Sequence, residues 1–233
     1  MAENELPKKF SLPQIIFISL MASANVGLDL LVSPGFIALT THIVAGLLIM
    51  VPLNFLFISL ARFSVDKFGT LTIYMIVFGA ISAPLPFWGG TAGIFKLLLG
   101  LIIGFLLDCA FLFRKIALKI LMGAILGAII WWIPTFIIWQ LWNLPIVEAM
   151  SNMLKAGTQQ FTMGNGWIDL SGILNLPITK LNFDLIIFAV MCGLISAVPV
   201  LIASIIGYRL FLQIKKTTVY ERFTNYHKSV TIK

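Results

Sequence analysis

The side chains able to do chemistry are few, and their setting matters more than their number. Asn25, Asp29, His42, Lys96 and Gln140 lie inside long apolar runs, as do Trp131 and Trp132, while Trp88 and Trp167 lie in the connections between runs. Lipid does not tolerate a bare carboxylate, ammonium or amide, so such a residue in an apolar span is expected to face a partner or a cavity. Rings among a few polar groups suit recognition of a small molecule. Bond-breaking has less to stand on. There is no G-x-x-x-x-G-K-[ST] phosphate loop, no H-E-x-x-H and no G-x-S-x-G. The spans described below put His42 and His227 on opposite membrane faces, so they cannot share a metal. Asp29 and Asp108 fall at different depths and cannot act as a protease pair. No enzymatic activity, metal or cofactor is expected.

The elements that must position these residues are membrane helices. The 233-residue chain is 60% hydrophobic and 11% charged, with a mean hydropathy of +1.03. That composition excludes a soluble globular domain. A closed barrel would show short alternating strands instead. The net charge of +7 invites a nucleic-acid reading. The excess, however, lies in short loops and the C-terminal tail, where a membrane protein carries it. Cys109 and Cys192 both sit in apolar spans and are expected to pack rather than pair.

Leu12 to Val32 is long enough to cross a ~30 Å hydrocarbon core. Ser19, Ser23 and Gly27, with Ala22 and Ala24 beside them, make one face small; Asn25, Asp29 and Ser33 make a nearly opposite face polar. The lysines ahead of the run and Ala22-Ser23-Ala24 resemble a secretory signal, but the apolar stretch continues past the site and no cleavage is expected. Ser33-Pro34-Gly35 reads as a break. Further spans are expected at about 36–60, 69–83, 94–113, 120–142 and 184–212. The reading is therefore all-α: a cytoplasmic tail 1–11, a six-helix membrane domain 12–212 with a long outer loop 143–183, and a basic tail 213–233. Residues 146–156 within that loop fit a short amphipathic helix.

Charge sets the orientation. With the N-terminus inside, the cytoplasmic segments hold Lys8, Lys9, Arg62, Lys67, Arg114, Lys115, Lys119 and the six basic residues from Arg209 onward. The outer segments hold only Lys155 and Lys180. Both termini are expected in the cytoplasm, with the chain in the cell membrane. At ~1.5 Å per residue His42 lies about 9 Å below the outer face, and Lys96 is comparably shallow. Asn25, Asp29, Trp131 and Trp132 fall in the outer half, and Gln140 at the surface. Trp88 and Trp167 close over the same level, which suits an outward-facing pocket. Each has a plainer reading: Asp29 and Lys96 as a neutralising pair, His42 as a helix-start residue, Trp88 and Trp167 as interfacial belt residues. Trp131 and Trp132 are adjacent, so at most one is expected to face a cavity. In the inner half Gly100, Gly104, Gly123 and Gly127 read as close-packing faces. Asp108 is expected to pair with Arg114, Lys115 or another basic group.

Six short spans, an outward cavity, no ATPase motif and a small face on the first span resemble the substrate-binding S component of an energy-coupling factor (ECF) transporter. The stretch GGTAGIFKLLLGLIIGFLLD, Gly89 to Asp108, is similar to that family's fourth-span signature. The resemblance implies a vitamin-binding subunit that docks through the first span onto an integral membrane T component driven by two cytoplasmic ATPases. The family's alanine-x-x-x-alanine pattern is replaced here by Ser19, Ser23 and Gly27 with Ala22 alongside. A histidine-bearing N-terminus, as in the metal-binding branch, is missing, so an organic substrate is expected. Lys96 and His42 would suit a carboxylate or phosphate, Asp29 an amine or ring nitrogen, and the tryptophans a heteroaromatic ring. Two other classes stay open: a self-contained channel or secondary transporter, which needs a polar path through the inner half, and a ligand-free membrane scaffold.

Overall fold

The computed structural model describes residues 10–39, 45–84, 94–141 and 183–217. Among them every regular element is helical. Helix α1 is Leu12–Leu39. Helix α2 opens with a π turn, Gly46–Met50, and continues as Val51–Ser64. Helices α3 to α6 are Thr70–Ser82, Ile94–Ala110, Ile116–Leu141 and Phe183–Ile214. Among the described residues four stretches are long and apolar enough to cross a membrane: Leu12–Val32, Gly46–Ser64, Ile116–Ile137 and Ile186–Ile214. Helix α3, at 13 residues, spans only about 20 Å at ~1.5 Å per residue, short of the ~30 Å apolar core.

The break expected at Ser33-Pro34-Gly35 is absent, and α1 runs through it to Leu39. Pro34 removes one helical N–H, but in apolar surroundings every other backbone group still has its only partner inside the helix. The π turn of α2 immediately precedes Pro52. Val51 N–H bonds Gly46 O there, one residue farther back than an α-helix allows.

The helices alternate in direction, and one end of each meets at a common charged end. Lys67 Nζ donates to Gln14 Oε1 at 2.9 Å and lies 5.5 Å from the centre of the Phe10 ring. Arg62 donates to the carbonyls of Lys67 and Phe111. Lys119 and Arg62 both pair with Asp66, at 2.8 and 3.5 Å. Phe63 meets Phe111 and Tyr208 edge-on and Phe211 at a tilt. These contacts gather the start of α1, the α2–α3 turn, the α4–α5 turn and the last turns of α6. Gly69 takes φ 92° in the first turn, a conformation open to glycine at little cost. The exposed Arg114, Lys115, Lys215 and Lys216 belong to this end as well.

Glycine sets the tightest crossing. A Cβ on Gly79 would stand 2.6 Å from the Lys96 carbonyl oxygen, and one on Gly104 2.7 Å from Thr72 Cα. Gly100 similarly faces the Met75 carbonyl. Antiparallel α3 and α4 therefore touch backbone to backbone, which small residues permit. Gly123 and Gly127 admit the rings of Phe111 and Phe55. The sequence expectation of close packing at Gly100, Gly104, Gly123 and Gly127 holds.

Candidate functional site

A buried polar layer forms where α1, α2 and α3 meet. Asn25 on α1 and Asn54 on α2 are 0% and 1% exposed. Asn54 Nδ2 donates to the Met50 carbonyl at 2.8 Å, beside the π turn. Asn54 Oδ1 then accepts from Asn25 Nδ2. A carbonyl can only accept, so Met50 O fixes the orientation of both amides in turn. The buried Tyr74 ring of α3 stands beside Asn25 and within the field of Asp29. The Tyr74 hydroxyl and the Asn25 amide are hydrogen-bonding neighbours there.

Asp29 and Lys96 continue the layer away from the charged end. Both are buried, and they attract each other electrostatically. Lys96 Nζ also donates to the Ser82 carbonyl at 2.7 Å. Ser82 is the last residue of α3, so its carbonyl has no partner within its own helix. At the other end of α3, Asp108 accepts from Leu71 N–H at 3.2 Å, Thr72 N–H at 2.9 Å and Thr72 Oγ1 at 2.8 Å. One helix, α4, thus places an acid on the N-terminus and a cation on the C-terminus of its neighbour. Each charge complements the helix dipole at that end. Asp108 does not pair with Arg114 or Lys115; the other basic group that the sequence allowed is Arg62, which Asp108 attracts electrostatically. Arg114 and Lys115 are exposed beyond the end of α4, whereas Asp108 is fully buried against α3.

The two tryptophans point in different directions, as adjacent positions must, yet both are only 5% exposed. Trp131 meets Phe55 of α2 edge-on at 6.1 Å. Trp132 Nε1 donates to Ser196 Oγ of α6 at 3.2 Å, and its ring lies over Gly46 in the π turn. Helix α5 is flanked on both sides, so each ring finds protein. Through Phe55, next to Asn54, and through Gly46, the aromatic pair adjoins the amide layer.

The structure therefore brings together Asn25, Asp29 and Lys96, with Trp131 and Trp132 alongside. His42, Trp88 and Trp167 lie outside the described residues, as do the Gln140 side chain, the 146–156 segment and residues 1–9 and 218–233 of the tails. Sequence reasoning passed over Asn54, Tyr74 and Ser196. Asn54 carried a usable signal: it is the one amide in the VPLNFLF run, and a lone amide in a span needs an interhelical partner.

The small face of α1 is open. Leu20, Ser23, Ala24, Gly27 and Leu31 are exposed, and a Cβ added at Gly27 would meet nothing within 4 Å. Ser23 Oγ donates to the Ser19 carbonyl at 2.8 Å, which satisfies its hydroxyl within the helix. Ser19 is half-buried at the edge. Ala22 does not belong to this face. It is 0% exposed and packs inward with Ile18 and Val26, because a position one residue from Ser23 turns about 100° around the helix.

Among the described residues no cluster of histidine, cysteine or carboxylates could hold a metal ion. No family model, curated protein or solved structure matches the chain.

Proposed function

We propose that the chain is the membrane-embedded, substrate-binding subunit of an ECF-type importer, capturing a vitamin-like organic molecule for uptake powered by partner subunits. In this reading it crosses the plasma membrane six times with both termini cytoplasmic, and α3 crosses as a short helix whose ends are completed by Asp108 and Lys96. The observation that carries it is the buried layer of Asn25, Asn54, Tyr74, Asp29 and Lys96, set apart from the basic end and adjoined by two tryptophans. The open face of Ser23 and Gly27 supports docking of a T component through α1. A self-contained transporter would use the buried ions near the basic end. Those ions are committed instead: Asp108 to the start of α3, Lys119 to Asp66, Arg62 to two carbonyls. That commitment favours the binding subunit.

The test is a mild-detergent affinity purification from native membranes with mass spectrometry of everything retained. A co-purifying membrane protein with ATPases supports the reading. A chain that arrives alone, and that transports in liposomes without ATP, overturns it.

A further inference from the structure

The outward face of α6 changes character along its length. Val198, Ile202, Ile205 and Ile206 are between 39% and 65% exposed. They recur at helical spacing and so form one apolar stripe. The same spacing carries the stripe on to Arg209 and then to Lys216, both exposed. A second cationic element stands beside this one. Helices α5 and α6 run antiparallel: a Cβ on Gly193 would lie 2.7 Å from Ile129 Cα, and the Phe136 and Phe188 rings are 5.8 Å apart. About four turns from that crossing toward the charged end, at ~3.6 residues per turn, α5 reaches Lys115 and α6 reaches Gly207 to Arg209. The Phe63 ring ties the same two places together, since it meets Phe111, shortly before Arg114, and Tyr208, next to Arg209. The carboxylates described at this end are committed elsewhere, Asp66 to Lys119 and Arg62 and Asp108 to the start of α3. Arg114, Lys115 and Arg209 therefore form a cationic rim at the foot of an apolar stripe.

We propose that this junction of the α4–α5 turn with α6 binds one anionic phospholipid, its phosphate at Arg209, Arg114 and Lys115 and an acyl chain along Ile206, Ile202 and Val198. Guanidinium groups offer paired N–H donors that match phosphate oxygens. Basic groups set between helices at a membrane surface hold anionic headgroups. The length fits as well. From Arg209 back to Val198 the helix rises about 16 Å at ~1.5 Å per residue, close to one leaflet's half of the ~30 Å hydrocarbon core. A free phosphate or an acidic protein would use the rim and leave the stripe idle, whereas a phospholipid uses both. The inference rests only on α5 and α6 crossing a bilayer, and on neither a cargo nor a partner subunit.

The experiment uses the full chain in mixed micelles holding equal amounts of phosphatidylglycerol and phosphatidylcholine with identical chains. Native mass spectrometry counts the lipids that stay bound. Wild type is expected to retain phosphatidylglycerol about tenfold or more over phosphatidylcholine. Arg114→Gln/Arg209→Gln should lose most of that preference, about fivefold for each cation removed, with its unfolding midpoint unchanged because both side chains are exposed. Arg114→Lys/Arg209→Lys keeps the charge without the paired donors and should retain part of it, which separates lost recognition from lost folding. Arg222→Gln/Lys228→Gln removes the same charge from the C-terminal tail and should keep the full preference. Glycerol phosphate at millimolar concentration should leave the lipid in place. Equal retention of the two lipids by wild type, an undiminished preference in Arg114→Gln/Arg209→Gln, an equal loss in the tail variant, or displacement by glycerol phosphate would each overturn the inference. None of these readouts needs an ATPase or a transported molecule, so failure here is distinct from failure of the importer reading.

Discussion

Replacing Asp108 with alanine should cost more than removing any exposed charge of the protein. Asp108 accepts three hydrogen bonds from the first turn of α3, two from backbone N–H groups and one from the Thr72 hydroxyl. At ~0.6 kcal/mol for a typical interhelical bond in a membrane, three bonds amount to about 2 kcal/mol. If the two N–H groups are left without water or protein, each adds a share of the ~1–3 kcal/mol penalty of a stranded donor, and the loss approaches about 5 kcal/mol. Asp108→Ala is therefore expected to destabilise by about 2–5 kcal/mol, a large part of the ~5–15 kcal/mol that a typical protein has. Asp108→Asn retains one acceptor and should lose roughly half as much. Arg114→Ala and Lys115→Ala should each stay within about 0.5 kcal/mol, since both are exposed. The assay is reversible unfolding in mixed micelles of rising sodium dodecyl sulfate fraction, followed by tryptophan fluorescence. A value for Asp108→Ala within 0.5 kcal/mol of wild type, or an equal loss in Arg114→Ala, refutes the clamping of α3 by α4.

Three other tests address the rest of the structure. Gly100→Ala drives a methyl group into the Met75 carbonyl and should destabilise by about 1–3 kcal/mol, whereas Gly27→Leu meets open space, should unfold as wild type and should abolish energised uptake; equal stability of the two variants would contradict the α3–α4 crossing. Lys96→Met strands both the Asp29 carboxylate and the Ser82 carbonyl, so its unfolding midpoint should fall by several degrees and recover in part in Asp29→Asn/Lys96→Met; no recovery in the double variant would deny the electrostatic pairing. Cys109 is exposed and Cys192 is 2% exposed, so a membrane-permeant maleimide should label Cys109 in the folded protein and Cys192 only after unfolding, as peptide mass mapping would report.

The sequence by itself determined the helical class, the four apolar stretches long enough to cross a membrane and the charged end. Those follow from signals carried along the chain: apolar run length, glycine spacing, and lysine and arginine confined to alternate breaks. They are local or additive, so no neighbour needs to be known. Asn25 and Asp29 were legible for the same reason, since a polar group in an apolar helix announces a buried face. The tertiary structure decided what each polar group touches. Asp108 looked like a surface ion because three basic residues follow it within about three turns of chain; in three dimensions the nearer need is the bare N-terminus of α3. Lys96 looked like a ligand-binding cation, and it completes the other end of that helix. Ala22 looked like part of a docking stripe, and the rotation of α1 turns it inward. Asn54 and Tyr74 entered the candidate site only when α1, α2 and α3 were brought together, because a hydrogen bond between Asn25 and Asn54 joins residues 29 positions apart. Such pairings depend on how the helices are rotated and set against one another. Packing against neighbours fixes that, and a one-dimensional pattern does not record it.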